Sequence, residues 1–226
     1  MLRLSVVIPA LNEAPLVGRA VSSAWEAGAD EVLVADGGSS DGTPRAAACS
    51  AQVIAAPRGR AAQQNAAARL ASGDVLLFLH ADNWLAPDAG RQIRAALAAG
   101  PATHGALWQR IEAAGWCYRW LERGNAARVR WCGVPYGDQA IFIRRAVFEA
   151  AGGWPEAPLL EDVILMRRLR RASWPLLLPG PVFVSPRRWQ RHGVIRQTLR
   201  NWRLLAAFAL GASPERLAAQ YRRHDA

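Results

Sequence analysis

The sequence contains no lysine; all 28 of its basic residues are arginine. That absence excludes Walker-type phosphate binding, Schiff-base chemistry and the lysine-dependent nucleotidyltransferases, each of which uses a lysine amine. Cysteine is scarce too. Cys49, Cys117 and Cys132 are odd in number and lack CxxC spacing. They exclude a disulfide framework or a cysteine zinc site and read as the reduced thiols of a cytoplasmic protein. Long apolar runs are missing. The run Leu204–Leu210 is far short of the roughly 20 residues that span a bilayer. The first run, Leu4–Ile8, stops at Pro9, too early for a signal peptide, and reads as a strand. No GxGxxG follows it, which argues against a dinucleotide-dependent oxidoreductase.

What remains is a 226-residue chain with ordinary globular composition, long enough for a sizeable core. Its net charge of +10 favours polyanionic partners such as nucleoside diphosphates, or an anionic membrane face. Nucleic acid is not expected, because no helix-turn-helix, zinc-finger or RNP-like pattern accompanies the charge.

The first hundred residues alternate short apolar runs with amphipathic stretches. Strands are predicted at Leu4–Ile8, Glu31–Ala35, Gln52–Ala55 and Val75–Leu79, with helices at about 15–28, 44–50, 60–71 and 88–99. Thr43 followed by Pro44 supplies a helix start. This order implies an α/β fold with a mostly parallel sheet covered by helices on both faces, and ligands beyond the carboxyl ends of the strands. Residues 101–145 look less regular, apart from a strand at Ala140–Ile143. A helix at about 161–172, a short strand near 181–184 and C-terminal amphipathic helices at about 194–210 and after Ser213-Pro214-Glu215 complete the reading. On the longer of these helices Ile195, Leu199, Trp202 and Leu205 share a face, with Arg196, Arg200 and Arg203 elsewhere.

Polar clusters fall at the predicted strand ends: Pro9-Ala10-Leu11-Asn12-Glu13, Asp36 followed by Gly37-Gly38-Ser39-Ser40-Asp41-Gly42-Thr43, and His80-Ala81-Asp82. Glu161-Asp162 opens a later helix. Singly, each has a bland explanation: a glycine-rich turn, a helix whose acidic start and arginine-rich end suit its dipole, a loop histidine. Together they would make several strand ends acidic by accident.

These strings, with Gly137-Asp138-Gln139, Gly153-Trp154-Pro155 and the Glu161–Leu169 segment, resemble glycosyltransferase family 2 over residues 4–172. The resemblance implies the GT-A fold, a Rossmann-like sheet over residues 1–185, with a donor half in about 1–100 and an acceptor half in about 101–185. Residues 186–226 would form a helical extension packed on the same domain. The tail, Arg187–Gly193 and Gly211–Leu217, resembles a bacterial subgroup of arsenosugar-biosynthesis-like glycosyltransferases.

The implied activity is transfer of a single sugar from a nucleoside-diphosphate sugar, UDP-linked or with another base, to an acceptor hydroxyl of a small molecule, glycan or lipid-linked compound. The resemblance assigns Pro9, Asn12, Glu13, Asp36, Gly38, Ser39, Arg58, Arg60, Asn65 and Ala81 to the donor, Asp36 reading the base edge. It assigns Asp82 to Mg2+ or Mn2+, Asp162 to the general base of an inverting displacement, and Glu161 to orienting the acceptor or its loop. Gly137, Asp138, Gln139 and Trp154 fall on the acceptor side.

Two departures stand out. His80 replaces the first aspartate of the usual Asp-x-Asp. Arg187-Arg188-Trp189 stands about where processive members carry Gln-x-x-Arg-Trp, without a membrane tract, which favours single transfer over polymerisation. His192 reads either as a second metal ligand or as a surface histidine of an arginine-rich loop. Trp202 and its arginines suggest peripheral contact at the inner face of a membrane. The rival readings are a nucleotidyltransferase, which the absent lysine argues against, and a degenerate, non-catalytic nucleotide- or membrane-binding module, which the intact Asp82 and Asp162 argue against.

Overall fold

Strand β1 (Leu4–Ala10) lies inside an eight-stranded sheet of order β3-β2-β1-β4-β7-β6-β8-β5 in the computed structural model, which describes residues 1–222. β2 (Glu31–Asp36) and β4 (Val75–Phe78) pair with β1 in parallel on either side, and β3 (Gln52–Ala55) extends the sheet beyond β2. The chain therefore builds outward through β2 and β3, then returns to add β4 on the other flank. Such a switch point opens a crevice at the strands' carboxyl ends.

Apart from buried Ser5, whose hydroxyl is hydrogen-bonded, the β1 run is apolar because both its faces are covered. Val6, Ile8 and Ala10 join one buried cluster with Val17, Ala20, Val21 and Ala24 of α1 (Ala14–Glu26), whose spacing of three and four residues marks one helical face. Val7 points the other way, into a cluster with Leu33, Leu76 and Phe78. There Trp154 meets Phe78 edge-on at 4.9 Å, and Phe148 lies 5.2 Å from Phe78. Helices α2 (Thr43–Ala48), α3 (Arg60–Leu70) and α4 (Ala89–Ala98) complete the first half close to their predicted places.

The second half is more regular than the sequence suggests. β5 (Asn83–Leu85) and β6 (His104–Ile111) enter the sheet, and residues 116–132 form one helix, α5 (Trp116–Cys132). Its buried positions are Glu122, Ala126 and Val129, whereas Trp116, Trp120 and Trp131 are exposed, so the large aromatics obscure the helical period. Buried Glu122 accepts the Ile111 N–H at 2.7 Å and pairs with Arg119 at 3.0 Å, fastening α5 to the end of β6. A 3₁₀ turn (Gly137–Gln139), β7 (Ile141–Arg144), α6 (Arg145–Ala150) and α7 (Glu161–Leu169) follow.

β8 (Leu176–Val184) is longer than predicted. It pairs in parallel with β6 across an irregularity at Leu107/Gln109, which accommodates the Pro179-Gly180-Pro181 stretch that masks the strand in the sequence. β7 and β5 run antiparallel to their neighbours, so the sheet is mixed, with four of its strands in one parallel block. Helices α8 (Arg187–His192), α9 (Val194–Ala209) and α10 (Pro214–Arg222) form the extension; residues 223–226 of it lie outside the described residues. Among the described residues, no helix is long and apolar enough to cross a membrane.

His104 at the start of β6 is fully buried, touched by the Thr103 hydroxyl at Nδ1 and by no partner at Nε2. Burial pulls its pKa from 6.5 to about 4. Between those values the unfolded chain binds the proton and the folded chain does not, so His104's contribution is full above pH 6.5 and is lost as pH falls toward 4. His104→Leu is expected to flatten the pH dependence of unfolding free energy in that window by up to one proton, about 1.4 kcal/mol per pH unit. Denaturant titrations of both proteins at several pH values check it; equal slopes would refute it.

Candidate active site

Three loops meet at the carboxyl edge of β1, β2 and β4, and short polar clasps hold the first two together. The Asn12 N–H donates to Ser39 Oγ at 2.9 Å, and the Ser40 N–H donates back to Asn12 Oδ1 at 2.9 Å. Glu13 N–H donates to the Thr43 hydroxyl at 2.8 Å, and Ala14 N–H donates to the Asp41 carboxylate at 3.0 Å. The buried amide of Gln63 donates to the last carbonyls of the region, Ala10 at 2.7 Å and Ala35 at 2.9 Å. These bonds satisfy backbone groups that strand ends leave unpaired.

Asp36 ends β2 with its two oxygens in different states. Oδ2 accepts the Gly38 and Ser39 N–H groups, each at 3.0 Å, while buried Oδ1 has no partner. A buried acceptor without a donor is costly unless a ligand supplies one.

Past β4, Asp82 and Glu13 share one cation. The Arg187 guanidinium, opening α8, lies 2.8 Å from Glu13 and 3.4 Å from Asp82. Burial raises the Glu13 pKa despite that pairing, with the charges of Asp82 and Asp41 adding to it. His80 is half-buried, but its Nε2 is out of solvent and unpartnered. Desolvation, reinforced by Arg60, holds its pKa down to about 3, so the imidazole is neutral at physiological pH. A Cβ on Gly137 would lie 3.0 Å from His80 Nε2, so any side chain there would press on the imidazole.

Two carboxylates that already hold a guanidinium, beside a neutral imidazole with a buried lone pair, suit a hard or borderline cation. Among the described residues no cluster of three or more His, Cys, Asp or Glu side chains could hold one by itself. The donor set therefore fits an ion that takes its remaining ligands from phosphate and water, the usual arrangement for Mg2+.

Asp162 stands opposite, in the first turn of α7. Its Oδ2 accepts the Gly137 N–H at 2.8 Å and its Oδ1 the Val163 N–H at 2.7 Å, which fixes the carboxylate's direction. Neighbouring Glu161 is buried, with its pKa raised by desolvation first and by Asp162's charge as well, and Arg60 pairs with it at 3.0 Å. Asp82, His80, Asp138 and Asp162 line one cavity of about 200 Å3, partly roofed by Gln197 and Asn201 of α9.

Non-glycine residues take left-handed backbone at Asn12 (φ 55°), Ala140 (φ 48°) and Leu160 (φ 65°). Each adjoins the site, and strain of this kind persists where surrounding structure enforces it.

The predicted residues divide. Asp36, Glu13, Asn12, Gly38 and Ser39 lie together at the carboxyl edge of β1 and β2, with Pro9 near the end of β1 and buried Ala81 just past β4. Asp138 faces the cavity, its Oδ2 receiving Gln109's amide at 2.9 Å, while burial raises its pKa. Gln139 is buried and accepts from Arg128 at 2.5 Å. Asn65 is engaged elsewhere: its amide both accepts from and donates to the Trp154 backbone, at 2.9 and 2.8 Å. Trp154 itself is a core residue beneath the site, and Arg58 is exposed on the loop after β3. Arg60 faces Glu161 across the cavity mouth. His192 lines a different hollow, with Arg196 and Arg200, not the cavity that holds Asp82.

Sequence reasoning missed Arg187's bridge, Gln63's clasp and the chain from Asn125 through Gln109 to Asp138, with its 2.5 Å first link. Gln109 stands next to Arg110 in a strand that begins at His104, so no local pattern singles it out.

A family model described as Glycosyl transferase family 2 matches residues 5–149. Among solved structures, Staphylococcus aureus TarS in complex with UDP is similar at 14% identity and TM-score 0.66, covering 81% of this chain and 60% of that one. Glucosyl-3-phosphoglycerate synthase from Mycobacterium tuberculosis, in complex with Mn2+, UDP and glucosyl-3-phosphoglycerate, aligns at 21% identity and TM-score 0.59, covering 81% and 70%. Mannosyltransferase PcManGT from Pyrobaculum calidifontis, in complex with GDP-Man and Mn2+, aligns at 22% and 0.62, covering 91% and 61%. The chain spans about three fifths of the length of TarS residues 1–349. No curated protein sequence matches it. The solved structures establish a shared fold, and the family model covers more than half of the sequence, including the strand ends that carry Asp36 and Asp82: the chain belongs to glycosyl transferase family 2.

Proposed function

We propose that this chain transfers a single sugar from a nucleoside-diphosphate sugar to an acceptor hydroxyl, with Asp162 as general base and inversion at the anomeric carbon. The observation that carries the reading is the convergence of Asp82 and Asp162, from opposite halves of the chain, on one cavity, while Asp36 ends β2 at the same carboxyl edge of the sheet. Similar folds in complex with UDP and with GDP-Man support the donor class. Asp36's vacant Oδ1 suits the ring N–H of a base, uracil being the simplest match. The arsenosugar-like subgroup rests on the tail residues 187–193 and 211–217 alone.

In this reading the donor's diphosphate lies along the β1–β4 crevice, with Arg187 and Arg188 near its charge. The acceptor hydroxyl enters the cavity and donates its proton to an Asp162 oxygen as its own oxygen attacks the sugar from the face opposite the nucleotide. The new C–O bond forms as the bond to the diphosphate breaks. Gly137's N–H fixes the base, and Arg60 neutralises Glu161 beside it, so that Asp162 is the carboxylate left to react. A divalent cation held by Asp82, with Glu13 as the second candidate ligand, would offset charge gathering on the leaving diphosphate.

Titration calorimetry with UDP, GDP and CDP is expected to show one nucleotide bound more tightly with Mn2+ than without. Asp36→Ala should weaken that nucleotide tenfold or more, roughly the worth of a charged hydrogen bond; equal binding of all three, unaffected by metal, would sink the donor assignment. Asp162→Asn should keep nucleotide affinity within about twofold and lower turnover by roughly 10²–10⁴, the usual range for a general base. If transfer survives, Asp162 is not the base. If nucleotide binds yet no acceptor panel supports transfer by the unaltered protein, the non-catalytic binding-module reading stands instead. Arg187→Ala removes the cation that competes for Glu13 and Asp82, so Mn2+ alone, followed by electron paramagnetic resonance, should bind severalfold more tightly; unchanged affinity would place the ion elsewhere.

A further inference from the structure

Helix α9 has two working faces. Its inner face lines the active-site cavity through Gln197, Asn201, Leu204 and Leu205, and Phe208 packs on the core below Arg167. This corrects the sequence reading of Leu205, which belongs to the inner edge and not to the outer stripe. On the outer face Ile195, Leu199, Trp202 and Ala206 recur at intervals of four, three and four, one stripe of a helix. Ile195 is 74% exposed, Leu199 45% and Trp202 64%; Leu210, just beyond the helix, is 89% exposed.

Beside that stripe lies a hollow of about 480 Å3 between α8, α9 and α10. Arg196, Arg200 and Arg203 line it, with His192 and Gln220. Among the described residues no carboxylate lines it, and α9 contains no acidic residue. An apolar row flanked by a guanidinium row is the pattern of a helix lying in a lipid–water interface, its tryptophan at headgroup depth.

We infer that α9 docks this protein on an anionic phospholipid surface, the Ile195–Leu199–Trp202 stripe entering the acyl boundary and the arginine hollow holding headgroup phosphates. Charge complementarity selects this occupant. A second copy meeting the stripe face to face would bring two arginine rows together on molecules that each carry +10. A polyanion without apolar surface would leave the stripe wet.

This goes beyond the transfer reaction and stands whether or not that reading survives. Co-sedimentation with phosphatidylglycerol-containing vesicles at low salt is expected to exceed that with pure phosphatidylcholine at least tenfold, and to fall as salt rises. Ile195→Glu/Trp202→Glu should reduce binding tenfold or more, and Arg196→Gln/Arg203→Gln roughly fivefold per arginine, the worth of about 1 kcal/mol each near such a surface. Nucleotide affinity by calorimetry should be unchanged in both variants, showing that they fold and separating this inference from the donor site. Equal binding to the two vesicle types, or binding indifferent to the stripe substitutions, overturns the proposal. So does a dimer, detected by light scattering, that Trp202→Glu dissociates, because a second copy would then be what covers the stripe.

Discussion

The pairing of β1 with β2 on one side and β4 on the other governs the molecule. In that register Ala10 lies beside Asp36, and Val7 beside Phe78, two residues before His80. Three loops otherwise separated by dozens of residues therefore start from one line. The apolar faces of β1 hold the register, because a slip of one residue would exchange the covered positions of every neighbour. The Gln63 clasp and the Asn12–Ser39 exchange then set the loops at angstrom scale, a fine adjustment that only a correctly registered sheet makes available.

Electrostatics at the site follow from how much acid is buried there. Glu13, Asp138 and Glu161 are all pushed up by desolvation, and each has an arginine or amide that draws it back toward the ionised form. A protein without lysine meets this need with planar, permanently charged groups that bond two oxygens in fixed geometry. Arg60 on Glu161 and Arg187 on Glu13 and Asp82 show the consequence: the carboxylates are positioned as well as neutralised. His80 contributes no charge, which leaves Asp82 and Glu13 as the anionic pair at this edge.

The first half of the fold was legible because its strands are short apolar runs that end in polar residues, and because Gly and Pro punctuate the connections. Asp36, Asp82 and Asp162 were legible for the same reason: they stand where runs end or begin. What stayed hidden depends on distance or disguise. α5 buries Glu122, Ala126 and Val129 while its tryptophans face outward, so its pattern inverts the usual signal. β8 was shortened by its prolines. Asn65 and Trp154 carry family-like neighbours but bind each other, a contact across 89 positions. The Arg187 bridge joins residues 174 positions apart and leaves no local trace.

That bridge also ties the two ends of the chain. Arg187 is the first residue of α8, and α8 runs through Gly193 directly into α9, the cavity's roof. A cation bound by Glu13 and Asp82 would have to displace the guanidinium, and with it the two ion pairs that Arg187 makes from α8. Under the proposed function, filling this edge with a metal-bound donor and releasing the roof's anchor would be two sides of a single exchange, a latch whose key is charge.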